Sequence, residues 1–280
     1  MLEICKNKSI KLEGNEEKKL KTINASIPNL PGVYLFFGEN ELLPIYIGKS
    51  INLKKRVLSH FYQKNMKLIK QIRYIYWQTT AGEIGALLLE AKLIKLYQPV
   101  FNKQLRKYHE LCAFQISNNK IDIVYAKEID FSKSENLYGL YKNRFSALKK
   151  LKSIADENNL CYAKLGMEEK KKSGCFRLQL GYCRGVRVNK ESHECHHNRL
   201  LHAFKQHKLA VWPYKGAIGI AEKGVQQTQI HIVNNWVYLG SVENLSQTLT
   251  FNQATDKFDH DMYKILCCRI LDKNINIIPL

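Results

Sequence analysis

The feature that most constrains the fold is an almost entirely apolar run, GALLLEAKLIKL, at residues 85 to 96. Thr80 and Glu83 precede it at the spacing of a helix capping box, and Pro99 follows it. We therefore predict a helix from Ala81 to Tyr97. A helix this apolar has to bury most of its surface against other secondary structure.

Glu90 is the one carboxylate inside this run. At about 100° per residue it shares a face with Leu87, Leu93 and Ile94, and the lysines of the same helix point elsewhere. An ionised carboxylate removed from water costs several kcal/mol unless a cation pairs with it, and a metal ion is one candidate. The alternative is that Glu90 lies at the edge of the apolar stripe and reaches solvent.

The residues before the helix predict a small sheet. Two β-rich segments, 33 to 37 and 43 to 47, flank GENE and predict an antiparallel hairpin. Ser50 can cap a helix over Ile51 to Tyr62, and IRYIYWQTT at 72 to 80 predicts a third strand. The order ββαβα predicts an α+β domain in which a three-stranded sheet packs against flanking helices.

The remainder of the chain divides into regions that differ in composition and periodicity. We expect a polar lead (1–25), the ββαβα domain (26–105), a connector (106–160) with a strand at 121 to 127 and a helix near 144 to 158, and a mixed α/β-containing C-terminal region (161–280). That region opens with a cysteine-rich segment, 161 to 200, which shows little regular periodicity. Near its end, Asp259 to Asp261 is expected to begin the last strand with turn-forming residues, the alternative being a metal site.

The net charge of the chain indicates what kind of molecule it binds. The chain has 44 Lys and Arg against 25 Asp and Glu, a formal net charge of +19, which favours nucleic acid but also suits a solubility device. The first twenty residues are charged throughout, and no run of about 18 apolar residues occurs, so we expect a cytoplasmic chain without a membrane partner. Without an export signal, the 8 cysteines are better explained as thiols or metal ligands than as a disulfide framework.

Six side chains suited to phosphodiester chemistry can converge in the ββαβα domain: Tyr34, Tyr46, Lys49, Arg56, His60 and Glu90. Strand alternation allows Tyr34 and Tyr46 to share a face, depending on the hairpin register. Arg56 and His60 are four residues apart, and Lys49 is seven before Arg56, so we expect these three on one stripe. Any one of them alone would more often be a packing or solvated residue.

These residues carry a family resemblance. GVY at 32 to 34 and YIG at 46 to 48 resemble the paired signature of the GIY-YIG nucleases, and Arg56, Glu90 and Asn102 follow in that family's order. PGVYLF, PIYIGKS, NLKKRVLSHF and EAKLIKLYQPVFN are similar to the nuclease module of the excision-repair subunit UvrC. VYAKEIDF, NKESHE and FDHDMYKIL are similar to the shorter UvrC homologues of the Cho type. The resemblance covers nearly the whole chain from Ile27.

The resemblance implies a metal-dependent endonuclease of nucleotide excision repair, with damaged double-stranded DNA, UvrB and UvrA as partners. It would cut the damaged strand once, on the 3′ side of a bulky lesion, because we find no second nuclease domain or helix-hairpin-helix tail before residue 280. The alternatives are a UvrB-independent structure-specific, restriction or homing endonuclease of the same fold, and a catalytically silent DNA-binding module.

The resemblance also implies the main catalytic roles. Glu90 would be the sole protein ligand of a catalytic Mg²⁺ or Mn²⁺, whose other positions water and a phosphate oxygen would fill. Tyr46 would be the general base that takes a proton from the attacking water, helped by the nearby charge of Lys49. Arg56 would stabilise charge on the scissile phosphate, which its fixed fork of donors suits.

Four further positions of the family pattern are filled. Gly48 ends the YIG signature, and Tyr34 supplies the second phenol of the site. His60 is expected to make a polar contact to the phosphate, and Asn102 to orient phosphate or backbone.

The cysteine-rich segment resembles a four-cysteine region that is associated with an iron-sulfur cluster in UvrC. The first three positions are matched by Cys161, Cys175 and Cys183. Arg187 stands at the fourth position, where Cys195, His193 or His196 could substitute, and three thiolates with one imidazole would equally suit zinc. The alternative is a set of thiols packed in a basic DNA-binding segment.

The same segment contains HECHH, residues 193 to 197, which matches the H-E-x-x-H motif of zinc peptidases with Glu194 as base. That function would require a helix in a cleft and a third ligand, and no histidine follows at the metzincin spacing. A chance match in a histidine-rich segment is therefore the favoured explanation.

Overall fold

The computed structural model describes residues 8–39, 42–62, 66–102, 110–117, 120–168, 176–246, 258–271 and 275–280. The chain forms two compact units, the first made of Met1–Tyr108 with Tyr214–Leu280 and the second of His109–Pro213. No helix within the described ranges is both long and apolar enough to cross a membrane.

The first unit begins with an antiparallel sheet between helices. Its elements are β1 (Ser9–Lys11), α1 (Glu16–Ser26), β2 (Gly32–Phe37), β3 (Pro44–Ser50), α2 (Leu53–Tyr62), α3 (Met66–Ile69), β4 (Tyr74–Thr79) and α4 (Glu83–Tyr97). The strand order is β1-β4-β2-β3. The ββαβα order is confirmed, and β1 adds a fourth strand that the sequence did not indicate.

Strand β2 lies at the centre of this sheet, and all of its residues are buried. Successive side chains of a strand point to opposite faces, so Tyr34 and Phe36 pack in one layer with Val57 of α2. Leu35 packs in the other layer with Ile94 of α4. Helices therefore cover both faces, while β3 remains an edge strand with one side open to other contacts.

Helix α4 starts two residues later than predicted. Its N-cap residue is Gly82, which has no side chain to cap with, and the Thr80 hydroxyl donates to the Gly82 carbonyl oxygen at 2.8 Å. The predicted capping box between Thr80 and Glu83 is therefore wrong, because Thr80 is engaged in the turn before the helix. The predicted end at Tyr97 is confirmed.

Helix α2 also starts two residues later, at Leu53 rather than Ile51. Ser50 cannot cap it, because Ser50 is the last residue of β3 and pairs with Gly32. The Asn52 side chain takes this place and accepts a hydrogen bond from the Lys55 amide at 3.0 Å.

The C-terminal part of the first unit forms a second antiparallel sheet with the order β10-β9-β8-β11. Its elements are β8 (Ile218–Lys223), β9 (Thr228–Asn234), β10 (Val237–Val242), α8 (His260–Ile270) and β11 (Asn276–Pro279). Asp259 caps α8 by accepting from the amides of Asp261, at 2.9 Å, and Met262, at 2.8 Å. The expected strand start at Asp259 to Asp261 is therefore wrong, since the same residue chemistry favours turns and helix N-caps.

The second unit contains a three-stranded sheet with the order β6-β5-β7 and a core that includes Phe114, Leu151 and Phe204. Its elements are β5 (Cys112–Ser117), β6 (Lys120–Tyr125), β7 (Leu137–Tyr141), α5 (Arg144–Glu157), α6 (Phe176–Gln179) and α7 (His193–Phe204). The strand expected at 121 to 127 and the helix expected near 144 to 158 are present as β6 and α5. Helix α7 lies largely in the cysteine-rich segment, whose weak periodicity did not predict a helix.

Candidate active site

The two tyrosines of the signature share a face of the β2–β3 hairpin. Tyr34 pairs with Gly48, and Phe36 pairs with Tyr46, which sets the register. The Tyr34 and Tyr46 ring centroids are 6.1 Å apart, and Phe36 stacks on Tyr46 at 5.8 Å. The register that the sequence left open therefore brings the phenols together.

His60 joins this group from α2. Its Nε2 atom lies 2.6 Å from the Tyr34 hydroxyl oxygen. Burial, with a smaller contribution from the charge of Arg56, lowers the pKa of His60 to about 4. Burial also raises the pKa of Tyr34, and nearby Tyr46 adds to this. At neutral pH a neutral imidazole and a protonated phenol therefore share this hydrogen bond.

Gly48 is required by the position of the Tyr34 ring. A Cβ atom at residue 48 would lie 2.4 Å from the Tyr34 hydroxyl oxygen and 2.5 Å from its Cζ atom. Any larger residue would push this phenol away from His60. Glycine at the last position of the YIG signature thus leaves space for the Tyr34 ring.

Arg56 lies one turn before His60, and its side chain is exposed. The guanidinium interacts with the hydroxyl groups of Tyr34 and Tyr46, and Tyr34 is the main cause of its raised pKa. A permanent positive charge therefore stands at the solvent side of both phenols, where a phosphate group can approach.

Glu90 reaches the open side of β3. Its Oε1 atom accepts a hydrogen bond from the Lys49 backbone N–H at 3.0 Å. Burial raises the pKa of Glu90 to about 7, although the Lys49 N–H and the charges of Lys49 and Arg56 favour the ionised form. Within the described ranges, no hydrogen bond reaches Oε2. Glu90 is therefore a partly buried carboxylate whose second oxygen is available to bind a cation.

Asn102 completes the same strand edge. Its Oδ1 accepts from the Ile47 N–H at 2.9 Å, and its Nδ2 donates to the Ile47 carbonyl oxygen at 2.8 Å. The side-chain amide thus replaces the neighbouring strand that β3 lacks. Of the two contacts expected for Asn102, phosphate or backbone, the structure contains the backbone contact.

Lys49 does not join the stripe of Arg56 and His60. It lies in β3, where strand alternation directs its side chain to the face opposite Tyr46. Its Nζ atom is 3.0 Å from Oε1 of Glu83, whose Oε2 is 3.3 Å from Arg269. The expected help from Lys49 to Tyr46 is therefore not supported by the geometry. Sequence analysis missed this role of Glu83, which it assigned to a capping box.

The cysteine-rich segment lies in the second unit. Cys161 and Cys183 are buried in one cluster, Cys195 is exposed, and Cys175 lies outside the described residues. His196 accepts a hydrogen bond at Nε2 from the Cys161 amide at 3.1 Å. In the part of the chain that the structure describes, no three His, Cys, Asp or Glu side chains are grouped to hold a metal ion.

The HECHH motif forms the first turns of α7. His193 and Glu194 are exposed rather than set in a cleft, and His196, which is not a ligand in that motif, is the buried histidine. A third metal ligand is absent from the described residues. This arrangement does not favour a zinc peptidase.

Three family models match successive parts of the chain. They are the UvrC-like GIY-YIG domain over residues 30–103, the UvrC/Cho excinuclease middle domain over residues 111–206, and the Excinuclease Cho C-terminal domain over residues 217–280. Together they cover most of the sequence.

Individual relatives agree with these models. The chain is 48% identical to Excinuclease Cho of Escherichia coli O6:H1, over 93% of this chain and 89% of the relative. It is 44% identical to Excinuclease Cho of Salmonella typhi, over 93% and 90%. One solved structure, the GIY-YIG N-terminal endonuclease domain of UvrC from Thermotoga maritima bound to its catalytic divalent cation, magnesium, is 33% identical, covering 30% of this chain and 96% of that one with a TM-score of 0.27.

The resemblance carried by GVY, YIG, Arg56, Glu90 and Asn102 is thus confirmed at the level of the whole chain. The chain belongs to the UvrC/Cho family of GIY-YIG excinucleases, the nucleases of nucleotide excision repair.

Proposed function

We propose that this nuclease hydrolyses one phosphodiester bond on the 3′ side of a bulky lesion, in the damaged strand of DNA that UvrA and UvrB have prepared. The formal charge of +19 supports salt-sensitive contacts to phosphate groups that do not depend on base sequence. Choice of lesion would then lie with the partner proteins.

The observation that carries the proposal is the Glu90 carboxylate. One oxygen is fixed by the Lys49 N–H, and the other is available at a partly buried position. A hard oxygen donor of this kind fits Mg²⁺ or Mn²⁺, with water and a phosphate oxygen as the remaining ligands. When bound, the ion would supply Lewis-acid stabilisation of charge on the scissile phosphate.

Arg56 and Tyr46 would act on the substrate directly. The exposed guanidinium of Arg56 would bind the scissile phosphate and stabilise the charge that develops on it. Tyr46 is partly exposed, whereas Tyr34 is fully buried and bonded to His60, so Tyr46 is the phenol that water can reach. As its phenolate, Tyr46 would take the proton of the attacking water while the water oxygen bonds to phosphorus and the leaving strand departs.

The other site residues would position these groups. Tyr34 and His60 would form the buried part of the layer of rings, with Gly48 leaving room for the Tyr34 ring. Asn102 would fix the β3 edge at Ile47, two residues before the N–H that holds Glu90.

The test is an incision assay on a duplex with one bulky adduct, with Mg²⁺, in the presence or absence of UvrA and UvrB. We expect one cut on the 3′ side that requires UvrB, the adduct and Glu90. The Glu90→Ala variant should lose cleavage but keep its fold and DNA affinity, and Glu13→Ala, which removes an exposed carboxylate of the same unit, should cut normally. Cutting of undamaged or branched DNA without UvrB would instead support a structure-specific endonuclease, and cleavage by Glu90→Ala would remove the metal assignment.

An iron-sulfur cluster or zinc at the cysteine-rich segment stays a prediction. Its support is that Cys161 and Cys183 lie in one cluster despite their separation in sequence. Iron and zinc analysis of protein purified without air, compared with a Cys161→Ser variant, tests it. Metal-free protein with full activity would leave these thiols as packing residues.

A further inference from the structure

Helix α4 carries Glu90 on one side and is held on the other side by residues of β8, of β10 and of the start of α8. At about 100° per residue, Lys92 and Lys95 lie roughly half a turn around the helix from Glu90. The Lys92 Nζ atom donates to the carbonyl oxygen of Leu239 at 3.0 Å. The ammonium of Lys95 pairs with Asp259, and both of these side chains are largely buried. The helix is therefore tied to β10 and to the start of α8.

A further tie lies at the start of α4. Gly82 offers no capping side chain, and the carboxylate of Glu222 takes its place from β8. Its Oε1 accepts from the Ile84 amide at 2.8 Å, and its Oε2 accepts from the Gly85 amide at 2.9 Å. A carboxylate at a helix N-terminus satisfies unpaired amides and interacts favourably with the helix dipole.

His231 of β9 holds Glu222 in this position. Its Nε2 atom lies 3.0 Å from Oε2 of Glu222, and its Nδ1 atom lies 2.6 Å from the Ser241 hydroxyl, which is 2.6 Å from the Tyr238 hydroxyl. Burial would raise the pKa of Glu222, but the hydrogen bonds from His231 and the two amides hold that pKa below its ordinary value. The carboxylate therefore stays ionised. His231 has no exposed surface, so this chain of groups positions other residues and does not present a nucleophile.

Two glycines, one just before α4 and one in its first turn, leave room for this contact. A Cβ atom at Gly82 would lie 2.4 Å from Oε1 of Glu222, and one at Gly85 would lie 2.8 Å from Cε1 of His231. The φ angle of Gly82 is −159°, which any residue can adopt. A side chain at residue 82 would therefore displace the Glu222 carboxylate from the helix rather than strain the backbone.

We propose that the C-terminal sheet and the start of α8 act as a clamp that fixes α4, and with it Glu90, against the β3 edge. Glu222 and His231 are positioning residues of the metal site. This inference rests on the proposed role of Glu90 as metal ligand. A ligand on a loosened helix loses metal affinity, since residues that orient a ligand typically contribute about 10- to 100-fold to affinity or activity.

The first test measures Mn²⁺ binding to the full-length protein without DNA, by electron paramagnetic resonance. Glu222→Gln should weaken Mn²⁺ binding by about tenfold and raise the Mg²⁺ concentration for half-maximal cleavage to a similar extent. Glu191→Gln is the matched control, because Glu191 is an equally buried carboxylate paired with Arg199 in the second unit. It should leave Mn²⁺ affinity unchanged.

The second test uses Gly82→Ala, which displaces Glu222 from the helix without removing its charge. If both substitutions break the same contact, the double variant should bind Mn²⁺ no more weakly than the worse single variant. A lowered thermal unfolding temperature with unchanged Mn²⁺ affinity in Glu222→Gln would overturn the clamp and leave only a structural contact. Glu90→Ala separates the two proposals: if it keeps full Mn²⁺ affinity, the metal assignment itself is wrong.

Discussion

The candidate active site has two sides that are built differently. On one side, Tyr34, Tyr46 and His60 form a layer of rings that local secondary structure brings together. On the other side, Glu90 binds the backbone of an edge strand through one hydrogen bond, and Asn102 binds it through two. The first side is held by packing, and the second by polar contacts that side chains from distant elements supply.

This difference separates two kinds of contribution to activity. In the ring layer, many apolar contacts share the stabilisation. The strand edge depends on a few hydrogen bonds, so one substitution there can displace the carboxylate. Arg56 connects the two sides electrostatically, since it interacts with both phenols and favours the ionised form of Glu90.

Among substitutions that leave the proposed metal ligand in place, the largest effect is expected at Arg56. Arg56→Ala should lower the single-turnover cleavage rate by about 10²- to 10³-fold, because it removes the charge that stabilises the phosphate in the transition state. Thermal stability should change little, since the side chain is exposed. Arg56→Lys should recover only part of the rate because an ammonium lacks the planar fork. The control is Lys55→Ala, which removes a neighbouring exposed cation. An equal loss of rate in Lys55→Ala would mean that the rate depends on the total positive charge and not on Arg56 itself.

The second largest effect is expected at Glu90 and is a gain in stability. In EDTA at pH 8, Glu90→Gln should raise the free energy of unfolding by about 1 to 3 kcal/mol, because the native protein no longer holds an ionised carboxylate in a partly buried site. The folded pKa of Glu90, about 7, exceeds its ordinary value, so the wild type loses stability as the pH rises towards 7. The difference should vanish below about pH 4.5, where Glu90 is protonated in both states. Urea unfolding from pH 4 to 8 measures this, and a pH-independent difference would contradict it.

A smaller loss is expected at the strand edge. Asn102→Ala leaves the N–H and carbonyl groups of Ile47 without their partner, which should cost about 1 to 2 kcal/mol of stability. The cleavage rate should fall as well, because the edge that holds Glu90 loosens. Asn158→Ala removes a single amide contact to a helix carbonyl in the second unit and should leave the rate unchanged. If Asn102→Ala lowers stability but not the rate, the two sides of the site are more independent than their geometry indicates.

The two sides also differ in how far the sequence predicted them. Strand alternation allowed Tyr34 and Tyr46 to share a face, and helix spacing put Arg56 and His60 on one stripe, because those patterns describe neighbours along an element. They could not place Asn102 on Ile47, 55 residues away, or Glu222 on the start of α4, 138 residues from Ile84. Such contacts are set by how separate elements pack.

The same limit explains the errors at element boundaries and at Lys49. Thr80 and Ser50 have the right chemistry for helix caps, but a tertiary contact assigns one cap to Glu222, and Asn52, the residue directly before α2, provides the other. Lys49 was placed by counting residues as if α2 began earlier. A missing cap at Gly82, followed by two amides without local partners, is a signal that could have indicated a distant carboxylate.

The smallest expected effect is at Lys49. Lys49→Gln should change the cleavage rate by no more than about threefold, because its backbone N–H, which holds Glu90, is kept. The ammonium pairs with Glu83 at a partly exposed position, and such pairs contribute about 0 to 1 kcal/mol. Glu83→Gln should have a similarly small effect, and the double variant should show no further loss. A hundredfold loss in Lys49→Gln alone would mean that the ammonium leaves Glu83 to act on Tyr46 or the phosphate once DNA is bound, which would join the two sides of the site through a second cation.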